Sequence, residues 1–261
     1  MKIIVCIKQV PETSAVRIDP KTHTLIREGV KSIINPFDMN AIETALQLKE
    51  KYSGEVVAIS MGPPQAEETL REAISPGVDD AVLLSDKAFA GTDTLATSYT
   101  LSMGIKKIGE FDLIICGKQA IDGDTAQVGP ELAQMLNIPQ ICFVRKIVEI
   151  KNHTLIVERV LEDGYEVVET QLPALLTVVK EINEPRLPSL RGKLTSKKKE
   201  IIKWGAQELD VNPDDVGLTG SPTRVIRTFT PPPRKDRKIL QGEAKDIVKE
   251  LVYELKQRKI M

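Results

Sequence analysis

The chain is poor in the side chains that most often perform catalysis: its 261 residues include two histidines, three cysteines and only 4% aromatic residues. His23 and His153 are far apart in polar surroundings, and the cysteines show no CxxC spacing. A zinc, haem or iron–sulfur site and a Ser-His-Asp or Cys-His triad therefore lack their usual residues. Because Cys6, Cys116 and Cys142 each lie within an apolar run, we expect reduced cysteines in the core.

The total charge of the chain is close to zero, and the apolar runs are short. The 36 basic residues balance 37 acidic ones, which disfavours nucleic-acid binding through an overall positive field and leaves only a local basic patch. No apolar run approaches the roughly 18 residues needed to cross a bilayer, and the run after Met1 is too short for a signal peptide. We expect a cytoplasmic protein that neither binds nucleic acid nor inserts into a membrane.

The first half alternates short β-rich runs with longer helical patterns. This alternation predicts an α/β fold, an open and mainly parallel sheet with helices on both faces. The predicted strands are residues 2–7, 55–60, 81–84, 112–116 and 141–144. The predicted helices are residues 38–52, which Asp38 would open as N-cap, 64–75, 93–109 and 130–137.

The pattern changes at about residue 145. Alternating apolar residues over 147–150, 155–157 and 166–168 predict an antiparallel hairpin section, followed by a strand over 174–179. Residues 183–240 show little periodicity, and an unstructured stretch of that length is unusual inside a compact domain. We expect that stretch to pack on another chain, and a last amphipathic helix to form over residues 243–259.

We expect the functional site at the carboxyl ends of the parallel strands, where ligands bind in such sheets and where helix N-termini also lie. The loop after Gly117 is rich in glycine and small residues and leads to Pro130, so its backbone could approach a diphosphate closely. Thr94 and Thr97, three positions apart at a helix start, could add hydroxyl donors.

The residues alone leave two interpretations of this edge open: nucleotide binding, or an ordinary connection with favourable turn chemistry. There is no GxGxxG motif, and the Walker pattern fails at Gly117-Lys118-Gln119. Asp122 and Asp124 could hold a divalent cation, although such pairs more often form hydrogen bonds within turns.

Five motifs in series resemble the beta subunit of electron-transfer flavoproteins. They are the segments 5–11 (VCIKQVP), 35–38 (NPFD), 60–63 (SMGP), 117–127 (GKQAIDGDTAQ) and 183–186 (NEPR) with the lysine run that follows. The resemblance covers essentially the whole chain in the same order. It implies a Rossmann-like adenine-nucleotide-binding fold and an obligate alpha subunit that carries a mobile FAD. It also implies an adenine nucleotide in this subunit, AMP in the simple carriers and a second FAD in the electron-bifurcating branch.

The resemblance further implies which residues bind the cofactor. Cys6 would lie beneath the adenine and Met61 would follow the second long strand, although core packing explains both equally well without the family. Asn35, Pro36, Phe37 and Asp38 would surround the adenosine. The ribose and phosphates would contact Gly117, Lys118, Gln119, Ala120, Ile121, Asp122, Gly123, Asp124, Thr125, Ala126, Gln127 and Val128.

Partner contacts are implied for the second half of the chain. Leu190 matches a recognition-loop leucine that inserts into a partner dehydrogenase, and the lysines 197–199 are either a docking patch for acidic partners or a solvated face. The implied organisation is a nucleotide-binding domain over residues 1–182, a partner-recognition and basic segment over 183–204, and a C-terminal arm over 205–261 that packs on the alpha subunit.

Small residues over 122–130, together with the segments 220–223 and 229–231, are similar to the bifurcating branch. The expected function is therefore that of a subunit whose FAD takes a hydride from NADH. Electrons would pass to ferredoxin or flavodoxin and, through the alpha-subunit FAD, to an acyl-CoA, enoyl-CoA or 2-hydroxyacid dehydrogenase. The alternatives are a non-bifurcating carrier with structural AMP and a non-redox adenine-nucleotide sensor. No side chain is expected to act as acid, base or nucleophile.

Overall fold

The structure is a computed structural model that describes residues 1–12, 17–18, 25–26, 32–226, 229, 232 and 237–261, the two short pairs by backbone alone. His23 and residues 230–231, which the sequence analysis named, lie outside the described residues. Contacts divide the chain into two units, Met1–Ile226 and Arg227–Met261. Among the described residues, no helix combines the length and apolar character that crossing a bilayer requires.

Thirteen strands and six helices are described in the first unit. The strands are β1 (Lys2–Cys6), β2 (Gln9–Pro11), β3 (Arg17–Ile18), β4 (Leu25–Ile26), β5 (Ser32–Ile34), β6 (Glu55–Met61), β7 (Asp80–Leu84), β8 (Leu113–Gly117), β9 (Gln140–Lys151), β10 (Thr154–Leu161), β11 (Gly164–Gln171), β12 (Ala174–Val178) and β13 (Ile202–Trp204). The helices are α1 (Pro36–Tyr52), α2 (Ala66–Ile74), α3 (Thr94–Ile108), α4 (Val128–Leu136), α5 (Leu190–Lys198) and α6 (Ala206–Leu209). The second unit contains α7 (Ala244–Gln257).

Nine strands form one sheet in the order β11-β10-β9-β12-β8-β1-β6-β7-β13. Every neighbouring pair from β9 to β13 is parallel, whereas β9, β10 and β11 pair antiparallel. This arrangement confirms the predicted α/β class, including the antiparallel section. The turn between β9 and β10 has Asn152 and His153 at φ 50° and 62°, the left-handed conformations that a two-residue hairpin turn requires.

The sheet is buried on both faces because alternate residues of each strand enter two separate apolar clusters. Ile3 and Val5 of β1 pack with α1 and α2, whereas Ile4 and Cys6 pack with α3, α4 and α6. This two-sided burial explains why the parallel strands appear in the sequence as continuous apolar runs rather than as alternating ones.

Two predictions about local structure were wrong. Asp38 does not open α1: Asn35 is the N-cap, Pro36 occupies the first turn, and the Asp38 carboxylate is directed to other partners described below. Proline fits this position because its fixed φ suits a helix start and its missing N–H is not needed there.

The second correction concerns residues 183–226, which we expected to pack on another chain. They contain α5, which contacts α2, and β13, which extends the sheet beside β7, and they bury Leu209 and Val216. The short length of β13 and the polar character of α5 hide both elements from pattern analysis. Contacts divide the chain after Ile226, and the boundaries expected after residues 182 and 204 stay predictions.

Candidate functional site

The strand order reverses between β1 and β8, because β6 and β7 extend the sheet on one side of β1 while β8, β12 and β9 extend it on the other. In open α/β sheets such a reversal opens a crevice at the carboxyl edge, which is the usual ligand site. Cys6 ends β1, and its direct partner in register is Cys116, the last residue but one of β8. Both are buried, and the hydrogen-bonded Cys6 thiol together with burial raises the pKa of Cys116.

A buried carboxylate closes one wall of this crevice. Asp38 is only 6% exposed and accepts hydrogen bonds from Asn35 Nδ2 over 2.9 Å and from the Lys8 backbone over 2.8 Å. The backbone N–H of Gly117 is a further donor. Burial raises the pKa of Asp38 from 3.8 to about 7, against the opposing effect of these donors and of the Lys8 ammonium.

The loop that follows β8 is fastened to the start of α1 by Asn35. The Asn35 side chain donates to the Gln119 carbonyl over 2.9 Å and accepts from the Ile121 N–H over 3.1 Å. One amide therefore binds both sides of the crevice, the loop and Asp38. The sequence analysis assigned Asn35 to a wall around the adenosine, and that role stays a prediction.

One ion pair and one hydrogen bond hold the middle of the same loop. Lys8 Nζ lies 2.6 Å from Asp122 Oδ1, and Gln119 donates to the carboxylate of Asp124. Both carboxylates thus have donors within this chain, as expected for turn carboxylates. Lys8 was not among the predicted site residues, although it lies two positions after β1, at the edge where ligands bind.

Two residues of the loop have a left-handed backbone. Asp124 and Ala126 have φ angles of 53° and 54°, and nests of anion-binding N–H groups occur where left-handed and right-handed residues alternate. Gly123 faces open space. The loop leads directly into α4, whose N-terminus begins at Val128 and adds the positive end of a helix dipole. Thr125 and Gln127 lie exposed within this segment, and Ala120 is half-buried at its start.

Two glycines allow the close approach of elements at this site. A Cβ on Gly117 would lie 2.3 Å from Asp38 Oδ1 and 2.7 Å from the Phe37 backbone carbon. A Cβ on Gly129 would lie 2.5 Å from the Thr177 methyl group. Both positions therefore require glycine, because the first would meet backbone and the second a buried side chain.

The two predicted hydroxyl donors already have partners within the protein. Thr94 donates to Glu131 Oε1 over 3.1 Å, which joins the N-termini of α3 and α4, and Thr97 donates to the Asp93 carbonyl over 2.6 Å. Asp93 also accepts from the backbone and hydroxyl of Thr223 over 3.0 Å and 2.8 Å. Residue 223 is thus brought to the helix end beside the crevice.

Phe143 has a strained backbone that sequence analysis did not anticipate. Its φ of 64° lies in the left-handed region, which for a bulky residue costs about 1–3 kcal/mol. It occupies a bulge: Ile141 pairs with Leu176 and Val144 with Val178, so two residues of β9 stand opposite Thr177. The only sequence signal is an aromatic residue where a strand reaches the carboxyl edge.

The predicted residues separate into two groups in space. The crevice group combines the N-terminus of α1 with the loop after β8, and Met61 packs against the same apolar cluster as Cys6. A cavity of about 430 Å³ lies on another side of the first turn of α1, lined in part by Pro36, Phe37 and Lys180. Leu190 is not in either place: it begins α5 and is 77% exposed.

The segment that carries Leu190 is anchored on α1. Arg186 Nε lies 2.7 Å from Glu43 Oε2, and its other nitrogens reach Glu50. Asn183 and Asn40 exchange hydrogen bonds, Nδ2 to carbonyl over 2.9 Å and 3.1 Å. These contacts hold the chain before Leu190 against α1. The exposed Leu190 side chain therefore follows a segment whose position is fixed.

The comparison with known proteins agrees with this geometry. The sequence model named Electron transfer flavoprotein domain matches residues 22–209. The chain belongs to the electron transfer flavoprotein family. It is 53% identical to the Electron transfer flavoprotein subunit beta of Thermoanaerobacterium thermosaccharolyticum over 100% of both chains.

Two further relatives of this beta subunit carry other names. The Caffeyl-CoA reductase-Etf complex subunit CarD of Acetobacterium woodii is 49% identical over 100% of both chains. Protein FixA of Bradyrhizobium diazoefficiens is 45% identical over 97% of this chain and 90% of its own. The family assignment expected from the five motifs is confirmed, and an electron transfer flavoprotein beta subunit acts with an alpha subunit.

Proposed function

We propose that this beta subunit belongs to an electron-bifurcating flavoprotein and holds an FAD at the crevice between β1 and β8. The observation that carries the proposal is the loop after β8, with its left-handed residues Asp124 and Ala126 opening a nest of N–H groups at the N-terminus of α4. Backbone N–H groups and a helix N-terminus are what a diphosphate needs. The 49% identity to CarD, named as part of a reductase complex, supports the same assignment.

The residues present fit an adenine dinucleotide. Cys6 and Met61 offer an apolar floor at the ends of β1 and β6 for an adenine ring. Asn35 and Asp38 hold the loop against α1 and so keep the phosphate cradle at a fixed distance from that floor. A Cβ on Gly123 would meet no atom within 4 Å, so the loop has open space at that position.

When bound, the FAD would supply the redox chemistry, accepting a hydride from NADH and passing electrons to ferredoxin or flavodoxin and, by way of the alpha-subunit FAD, to a partner dehydrogenase. The chain itself binds, orients and excludes water. Its buried carboxyl, Asp38, accepts the hydrogen bonds that join α1 to the end of β1, and no described side chain is required as nucleophile or proton donor.

Docking of the dehydrogenase is assigned to Leu190. Its 77% exposed side chain follows the Arg186 anchor and stands on a helix whose other face contacts α2. An exposed leucine on a fixed support is suited to fill a pocket of a partner. The dehydrogenase would be of the acyl-CoA, enoyl-CoA or 2-hydroxyacid type, and lysines 197–199 would favour acidic surfaces.

A carrier with structural AMP is the alternative, since AMP and FAD share the half that the nest and the adenine floor would bind. The deciding experiment is co-expression with the alpha subunit, followed by extraction and counting of nucleotides per heterodimer. Two FAD, with flavin bleaching by NADH under anaerobic conditions, support the proposal. One FAD and one AMP, with no bleaching by NADH, contradict it. A colourless protein without a partner chain would instead indicate a nucleotide sensor.

The docking role has its own test. Leu190→Ala should slow electron transfer to the dehydrogenase about tenfold or more, the range expected when a central interface anchor is truncated, without changing flavin reduction by NADH. Leu187→Ala is the matched control, because Leu187 is 91% exposed in the same segment but lies outside the family motif. Equal transfer rates in the wild type and Leu190→Ala would remove the docking role.

A further inference from the structure

Helix α5 exposes a second leucine one turn after Leu190. Leu194 is 56% exposed and follows Leu190 by four positions, so the two side chains lie on the same face of the helix, about 6 Å apart along its axis. They are the two large apolar residues of α5. A surface helix normally turns such residues toward the core, whereas α5 turns both toward the solvent.

The opposite face of α5 is packed on α2. A Cβ on Gly192 would lie 2.0 Å from the carbonyl oxygen of Ser75, which ends α2, and Ser196 is only 5% exposed. Leu194 is two positions from each of these residues, which at 3.6 residues per turn places it about 160° from both around the axis. The exposure of Leu194 is therefore fixed by the way in which α5 packs.

Both ends of α5 are held before any partner binds. The Ser189 side chain accepts a hydrogen bond from the Gly192 N–H over 3.0 Å and so caps the first turn. At the other end, Arg71 of α2 donates to the carbonyl oxygens of Ser196 over 2.7 Å and Lys199 over 2.9 Å. A helix that is already ordered loses little conformational freedom when it binds.

The charges of α5 are all positive. The helix contains no acidic residue, and its exposed cations are Arg191, Lys193, Lys197 and Lys198. Neighbouring cations are neutralised within the chain: Arg71 and Lys203 each lie 2.6 Å from a Glu67 oxygen, and Lys199 lies 2.5 Å from Asp80 Oδ1. Within the part of the chain that the structure describes, no ion pair involves the four cations of α5. Their charge is available to an acidic partner.

We propose that Leu194 is a second apolar anchor for the partner dehydrogenase, and that α5 docks as a helix into an apolar groove with an acidic rim. The inference rests on the docking role proposed for Leu190. Apolar residues at positions i and i+4 are the anchors by which a helix binds in a groove, and cations beside them favour an acidic rim. The groove would extend over at least one helical turn, which a pocket for Leu190 alone would not require.

The test uses the heterodimer and the dehydrogenase that the wild-type heterodimer reduces. Leu194→Ala should raise the KM of the dehydrogenase for the heterodimer about fivefold or more, with kcat and the thermal midpoint unchanged, because the side chain is exposed. Leu194→Met, which keeps an apolar side chain of similar volume, should retain the KM. Leu218→Ala is the matched control, since Leu218 is 54% exposed and lies outside α5, and its KM should equal that of the wild type.

The acidic rim is tested by charge. Lys197→Gln should raise the KM and weaken its dependence on ionic strength, whereas Lys106→Gln, at an exposed position of α3, should do neither. A KM that does not change with salt would overturn the acidic rim.

The second anchor is tested separately from the first. An unchanged KM in Leu194→Ala with a raised KM in Leu190→Ala would overturn the second anchor and leave the docking role of Leu190 intact. An unchanged KM in both variants would overturn both roles. Neither outcome depends on which nucleotide the heterodimer holds, because all variants are compared in the same heterodimer.

Discussion

Asn35 donates one hydrogen bond to Asp38 Oδ1 over 2.9 Å, and from the same nitrogen reaches the Gln119 carbonyl over 2.9 Å. A single side-chain amide thereby joins the first turn of α1 to the loop after β8. The joint lies where a nucleotide is proposed to bind, so its removal affects folding and binding together.

Asn35→Ala should lower the free energy of unfolding by about 2–4 kcal/mol, because buried partners on both sides lose their hydrogen bonds. Nucleotide affinity should fall about tenfold or more as the loop loosens. Urea unfolding and nucleotide titration measure the two effects. Gln171→Ala, which removes an exposed side-chain hydrogen bond in the hairpin, should change neither. An Asn35→Ala variant that binds like the wild type would show that the loop does not depend on this amide.

Asp38 should make the protein less stable as pH rises. Its pKa is about 7 in the folded chain and 3.8 ordinarily, so the folded state holds a proton that the unfolded state releases between these values. No stability is lost below about pH 4, the loss grows up to about pH 7, and it then stays constant. The three-unit difference corresponds to about 4 kcal/mol.

Asp38→Asn isolates this effect from other carboxyl groups. Glu50 and Asp86 have lowered pKa values, from the Arg186 hydrogen bond and from the backbone N–H of Ala88 respectively. These two carboxyl groups stabilise the protein as pH rises, and they do so equally in the wild type and in Asp38→Asn. The stability of Asp38→Asn relative to the wild type should increase from pH 4 to pH 8 in denaturant titrations. Parallel pH profiles would show that Asp38 titrates normally.

Gly117→Ala should destabilise the protein by about 1–3 kcal/mol and abolish tight nucleotide binding, because the new methyl group would overlap Asp38 Oδ1 and the Phe37 backbone. The start of α1 must then move away from β8. Gly123→Ala in the same loop is the matched control, since it meets no atom within 4 Å, and its stability should stay within about 0.5 kcal/mol. Thermal melts compare the two variants, nucleotide titration compares Gly117→Ala with the wild type, and equal stability of the two variants would contradict the close approach.

Arg186→Ala should cost about 3 kcal/mol of stability, because it leaves the buried Glu43 carboxylate without its ion-pair partner. Amide hydrogen exchange should accelerate over residues 183–190, where the anchor is lost. Glu50→Gln, which weakens only the exposed end of the pair, should cost less than about 1 kcal/mol. If exchange over 183–190 is equal in Arg186→Ala and the wild type, the segment is held by other contacts.

The class of the sheet could be predicted because parallel strands buried on two faces leave continuous apolar runs, such as residues 2–7 and 112–116. The location of the site could also be predicted, since carboxyl ends of parallel strands share an edge. β13 and α5 could not be predicted. A strand of three residues is too short to show a pattern of alternation. α5 packs through Gly192 and Ser196 rather than through an apolar stripe.

The internal contacts of the site were equally hidden from the sequence. Lys8 and Asp122 are 114 positions apart, and their pairing depends on strand order. The strain at Phe143 arises from a bulge, which is a property of register between β9 and β12 and not of local composition. The domain boundaries, the site assignments and the cytoplasmic location expected from the sequence stay predictions.

The shared use of α1 has a consequence for electron transfer. The helix contributes Asn35 and Asp38 to the crevice at its first turn, and Glu43, about 7.5 Å further along its axis, to the anchor before Leu190. One helix, α1, therefore fixes the positions of both the proposed cofactor and the proposed partner contact. The distance between the proposed cofactor and the docked enzyme would be set by one helix, so that exchange of the docked enzyme would leave the position of the cofactor unchanged.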